Sequence, residues 1–117
     1  VHWGDINRRF MCHSVRKSLL SALYGKYVDA GSIDINTTLK DLGIEDVHQL
    51  TKQEKKAKIS DLLKARSGVF HPAAYETEGM KKIRPERGSH EPNTFWYYNN
   101  WDFNTLCAIL MQKSGKD

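Results

Sequence analysis

Apolar residues recur at helical spacing in two stretches of the chain. From Ser14 to about Val28, the positions Val15, Leu19, Leu20, Ala22, Leu23 and Tyr24 follow the period of a helix, which Gly31 and Ser32 end. From about Asn100 to Lys113, Phe103, Leu106, Cys107 and Leu110 stand at i, i+3, i+4 and i+7. In that run Cys107 is expected to be a small buried hydrophobe. Between the two, Thr51 followed by Glu54 has the form of a capping box for a helix through Lys64. Its buried stripe would be Ile59, Leu62 and Leu63, and its stop Gly68. His71-Pro72 to Glu78 predicts a turn and a helical segment, continuing weakly to Ile83. Residues 33–45 and 84–94 read as loops, the first holding a short turn that Gly43 closes, the second rich in Pro, Gly, Ser and Asn. Val1 to Asp5 reads as the end of a strand, and no other stretch alternates convincingly. The pattern predicts a single, mainly α domain over residues 1–117 with a short N-terminal strand remnant.

Composition narrows the classes. A chain of 117 residues suits one domain and can hold a core without staples. No apolar run approaches the roughly 20 residues that cross a bilayer, and no leader pattern stands at the start, so no membrane partner is expected. The compartment, cytoplasmic or periplasmic, is left open. The 18 Lys and Arg against 14 Asp and Glu give a net charge of +4. Lys52, Lys55, Lys56 and Lys58 alternate with Glu54 and Asp61, which reads as solvated helix faces rather than a nucleic-acid surface. Cys12 and Cys107 fit neither a zinc pattern nor a disulfide framework. His2, His13, His48, His71 and His90 are scattered without ligand spacing, so structural or solvent-exposed roles, no metal and no cofactor are expected.

Two short motifs carry chemistry. Ser14 and Lys17 lie three residues apart at the start of the first helix, so hydroxyl and amine share a face. The helix N-terminus supplies positive potential beside Ser14, which suits a developing oxyanion. Spacing alone is a weak signal, since a serine there also serves as an N-cap and a lysine as a solvated charge. Tyr98 and Asn100 stand in the aromatic segment 95–103, at the entrance to the last helix. A phenol can shuttle a proton, and a carboxamide can hold a substrate amide or orient a lysine. The plainer reading is an aromatic core segment with Asn as a helix cap.

Taken together, the segments resemble the class C β-lactamases, DD-peptidases and related esterases. The resemblance rests on Ser14-Val15-Arg16-Lys17-Ser18-Leu19-Leu20, on Asp61-Leu62-Leu63-Lys64-Ala65-Arg66-Ser67-Gly68, and on Tyr98-x-Asn100 with Asn104 one turn further. It covers nearly the whole chain and implies the helical domain of the β-lactamase/transpeptidase-like fold, in a soluble bacterial protein. By position it implies Ser14 as acylated nucleophile, Lys17 as its activating partner, Tyr98 as general acid/base and Asn100 as the substrate-orienting amide. His13 would border the substrate. The substrate class implied is an ester, favoured over a β-lactam or D-alanyl peptide, handled through an acyl-enzyme.

The family's third motif, a Lys-Thr-Gly or His-x-Gly triplet on a strand, has no counterpart here. Lys113-Ser114-Gly115 mimics it but reads as a helix C-cap. Activity is therefore expected to be weak, because losing one oxyanion donor costs roughly 10²–10³ in rate. A non-catalytic module binding a small molecule or a protein is the alternative. Trp3, Phe10, Trp96, Tyr97 and Trp101 are expected to form an exposed apolar face that favours a homodimer.

Overall fold

The computed structural model describes residues 4–115. Helix α1 spans Arg16–Asp29 and is entered through a 3-10 turn at His13–Val15. A second 3-10 turn at Glu54–Lys56 precedes the short α2, Ile59–Leu63. Helix α3 is Glu78–Ile83, and α4 is Asn100–Ser114. The mainly helical expectation holds. Most of the strand expected at the start, Val1 to Trp3, lies outside the described residues, and Gly4 and Asp5 are a bend and a loop position.

The core lies where α4 packs on α2 and α1. Tyr24 of α1, Leu39 and Leu42 of the following loop, Ile59 and Leu62 of α2, and Leu106 and Ile109 of α4 are its centre. Tyr24 is the join between the long helices, its hydroxyl donating to Leu106 O at 2.7 Å. Burial raises that phenol far above its ordinary value, so it stays a donor.

Four expectations are corrected. A continuous helix from Thr51 to Lys64 does not form. Thr51 and Glu54 do exchange the two bonds of a capping box, at 2.7 and 3.2 Å. At Ala57, however, the backbone turns extended, with ψ 136. There the chain pairs with residues 37–39: Leu39 N–H donates to Ala57 O at 2.9 Å and Ile59 N–H to Thr37 O at 3.1 Å. This long-range pairing, around the isolated bridge Thr38–Lys58, satisfies backbone groups that a helix would have paired locally.

Cys107 is exposed rather than buried. The core face of α4 is Trp101, Asp102, Thr105, Leu106 and Ile109, rotated from the predicted stripe, so Cys107 falls outside it. Glu54 and Asp61, read as part of a solvated face, are buried, while Lys52, Lys56 and Lys58 around them are exposed.

Helix α1 also divides its apolar residues. Leu20, Tyr24 and Tyr27, at i, i+4 and i+7, face the core, whereas Leu19 and Leu23, with Val15 of the turn before the helix, are 65%, 47% and 70% exposed. Of the apolar face expected from the sequence, Phe10 and Trp96 are exposed, but Tyr97 and Trp101 are buried. Trp3 lies outside the described residues. The buried pair is recruited inward by hydrogen bonds, from Tyr97 Oη to Met80 O at 3.1 Å and from Trp101 Nε1 to Asp46 Oδ2 at 2.6 Å.

Candidate active site

The turn after α2 shapes the approach to α4. Gly68 has φ +73, and a Cβ there would sit 2.7 Å from His90 O, so the position admits glycine alone. The tight turn lets Asn99 Nδ2 reach Val69 O at 2.6 Å, while Asn99 Oδ1 caps α4 by accepting from Trp101 N–H at 3.1 Å. Residues 98 and 100, on either side of that cap, are thereby directed toward α1.

Four of the five predicted site residues come together. Lys17 Nζ donates to Tyr98 Oη and to Asn100 Oδ1, both at 2.6 Å. Tyr98 Oη in turn donates to Ser14 Oγ at 2.7 Å. The ammonium also lies over two rings, 4.0 Å from the centroid of Tyr98 and 4.7 Å from that of Phe103. Ser14 is exposed and Lys17 and Asn100 are half-buried, so the hydroxyl is open to an incoming carbonyl. His13 is joined to the cluster only by its place next to Ser14. It is exposed, and its φ of 43 is a left-handed conformation that turns the chain into α1.

The electrostatics favour an ionisable phenol. Partial burial pushes Tyr98 upward. The hydrogen bonds with Lys17 and Ser14 and the lysine's charge outweigh it, and hold the phenol below its ordinary value near 10.0. A phenolate reverses the Ser14–Tyr98 bond: the serine O–H then donates and the phenolate accepts.

Sequence reasoning missed three neighbours of this cluster. Tyr75, at φ +64, offers its carbonyl to Asn100 Nδ2 at 3.3 Å, and its ring lies 5.6 Å from the Arg16 guanidinium. No sequence pattern marks it. Phe103 could have been found, because it stands three residues after Asn100 and so shares its face. Asn104, one turn after Asn100, was grouped with the motif but is exposed and points into an open cleft lined by Ile44, Pro72 and Trp101. The third neighbour is a buried acid. Asp102 accepts from Asn99 Nδ2 at 3.2 Å through Oδ1, and its Oδ2 has no partner among the described residues.

Burial drives the Asp102 carboxyl well above the ordinary range, outweighing the opposing influence of nearby Ser67, and the charge of Asp61 adds to the rise. The folded chain thus keeps a proton that the unfolded chain releases near 3.8. Stability then falls as pH rises from that value toward the folded-state one. Asp102→Asn cannot ionise and is expected to remove this fall. In urea denaturation its stability is expected to fall less than the parent's as pH rises above 3.8. Equal pH slopes for the two proteins would refute the assignment.

Among the described residues no group of three His, Cys, Asp or Glu side chains is arranged to hold a metal ion. No helix among them is long and apolar enough to cross a membrane.

Fold and site define a helical unit that carries a serine, a lysine and a tyrosine in hydrogen-bonded series. The family model described as Beta-lactamase matches residues 5–116, and the chain belongs to that family. Comparison with curated proteins and with solved structures gives no match.

Proposed function

We propose that the protein is a serine hydrolase that acylates Ser14, with Lys17 and Tyr98 acting as one proton-handling unit. The observation that carries this reading is the unbroken series Ser14–Tyr98–Lys17–Asn100, four polar side chains within 2.6–2.7 Å of one another in sequence. Helix capping does not account for these contacts, since the N-cap of α1 is Val15 and no side-chain cap bond is made there.

The chemistry follows from the donors. Lys17 stabilises the Tyr98 phenolate, which takes the Ser14 proton as Oγ attacks the carbonyl carbon of an ester. The C–O bond to the leaving group breaks as the proton passes from Tyr98 to the departing oxygen. Water then cleaves the acyl-enzyme by the same route in reverse. Asn100, fixed between Lys17 and Tyr75 O, keeps the lysine aimed at the phenol. The N-terminal end of α1 lies beside the developing oxyanion, where positive potential is favourable. A simple ester is the favoured substrate over a β-lactam. The site is open, and Tyr98 is the one base that these contacts set beside Ser14 for the water that clears the acyl group.

Intact-mass measurement after incubation with a fluorophosphonate, a p-nitrophenyl ester and a chromogenic β-lactam tests the proposal. The parent is expected to gain one adduct that Ser14→Ala lacks. A folded parent that gains none with any reagent would instead be a non-catalytic binding module.

A further inference from the structure

Residues 97–101 alternate between anchors and site. Tyr97, Asn99 and Trp101 are buried, and Tyr98 and Asn100 between them reach Ser14 and Lys17. Each anchor is tied on the side away from the site. Tyr97 N–H donates to Ala65 O at 3.0 Å, and Asn99 holds Val69 O. Trp101 is different, because its Nε1–H donates to a carboxylate, Asp46 Oδ2, at 2.6 Å.

Asp46 is itself fixed from behind. His71, 1% exposed, places Nδ1 2.8 Å from the same Asp46 oxygen and Nε2 3.1 Å from Glu54 Oε1. Arg87 then closes on Glu54 through Nε at 3.0 Å and Nη2 at 2.9 Å, and reaches the carbonyls of His48 and Gln49. Bonds to ionised groups are the shorter and stronger ones, so the indole–carboxylate contact is a strong link between the first turn of α4 and the loop that carries Asp46.

We propose that Asp46 and Trp101 are positioning residues for Tyr98 and Asn100, their bond setting the rotation of the first turn of α4. The geometry gives the reason. A side-chain atom about 5 Å from a helix axis moves about 1 Å for a rotation of roughly 10°. Such a rotation would take Asn100 out of hydrogen-bond range of Lys17, and it would carry the indole off Asp46 at the same time. The bond to Asp46 therefore resists the motion that would open the site.

The role matters for catalysis only through the hydrolase reading, so the test reads the phenol directly. Tyrosine 13Cζ NMR on the full chain follows each phenol against pH, with Tyr98→Phe assigning the signal. Trp101→Phe keeps a ring against His71 and removes the indole N–H. Its Tyr98 signal is expected to titrate at higher pH than in the parent, nearer an ordinary tyrosine, with Tyr24 unmoved. Asp46→Asn keeps an acceptor for the indole and should hold most of the parental behaviour. An unchanged Tyr98 titration in folded Trp101→Phe overturns the proposal. If that variant does not fold, Asp46→Ala, at a partly exposed position, carries the same test with the same two outcomes. Where the parent acylates, Trp101→Phe is also expected to lose about 10- to 100-fold in rate at saturating ester, with the half-saturating concentration little changed. The NMR result stands whether or not Ser14 reacts, so failure of the hydrolase reading and failure of this one are separable.

Discussion

Lys17→Met is expected to slow acylation of Ser14 by about 10²–10⁴-fold, the range supplied by one positioned proton-transfer group. The ammonium is the only cation that the described residues bring to the Tyr98 hydroxyl, since the neighbouring Arg16 lies against Tyr75 instead. Losing it removes both the 2.6 Å bond and the charge that hold the phenol low. The phenol then returns upward, the base form becomes scarcer at neutral pH, and the rate profile moves to higher pH. Methionine is close in length, and its thioether sits well on the rings of Phe103 and Tyr98, so the fold should be kept. Adduct formation followed by mass against time, across a pH series, measures both effects. A variant with the parental rate and profile would remove Lys17 from the mechanism.

The largest stability effect is expected at Glu54, although it lies far from Ser14 in the chain. Glu54 is 1% exposed and accepts from Thr51 N–H, from Arg87 and from His71. Arg87 can turn to water when the carboxylate is removed, but His71, equally buried, cannot. Glu54→Ala is therefore expected to cost about 3–5 kcal/mol, the usual result of breaking one side of a buried ionic group. That is a large part of a stability that totals about 5–15 kcal/mol in domains of this kind. Acid should act in the same direction. Burial raises Glu54 and Asp46, but bonds from Arg87, His71, Trp101 and backbone N–H groups prevail and hold both carboxyls below their ordinary values of 4.5 and 3.8. The unfolded chain then binds protons more readily than the folded one. The stabilisation is complete above those ordinary values and is lost as pH falls through the folded-state ones. Urea midpoints should drop steeply on acidification in the parent and less so in Glu54→Gln. A pH-independent difference between the two would contradict this account.

What the sequence disclosed follows the range of the interactions involved. Helices α1 and α4 were legible because each repeats apolar residues over several turns, and Ser14–Lys17 and Tyr98–Asn100 because one turn or one cap holds each pair. The helix expected through Lys64 failed because Ala57 pairs with Leu39, a contact that no local pattern encodes. The face of α4 was misjudged because hydrogen bonds bring Trp101 and the polar Asp102 and Thr105 inward, and a hydrophobic stripe counts only apolar positions. Glu54 looked like a surface charge among lysines, since its partners His71 and Arg87 lie 17 and 33 residues away. Histidines judged by spacing gave no metal pattern, but spacing was equally silent about the carboxylates that the fold sets on both sides of His71.

The bond between Tyr98 and Ser14 closes a loop of 84 residues in a chain of 117. Every other link in the series, from Lys17 to Tyr98 and to Asn100, spans a comparable distance along the chain. Closing such a loop carries an entropic cost that only the completed core can offset, and contacts of long separation form late and slowly. A collapsed chain with both long helices formed would still have a plain serine at position 14. Where Ser14 reacts as proposed, its reactivity depends on contacts that the folded chain alone supplies, and a covalent probe of that hydroxyl would count native molecules.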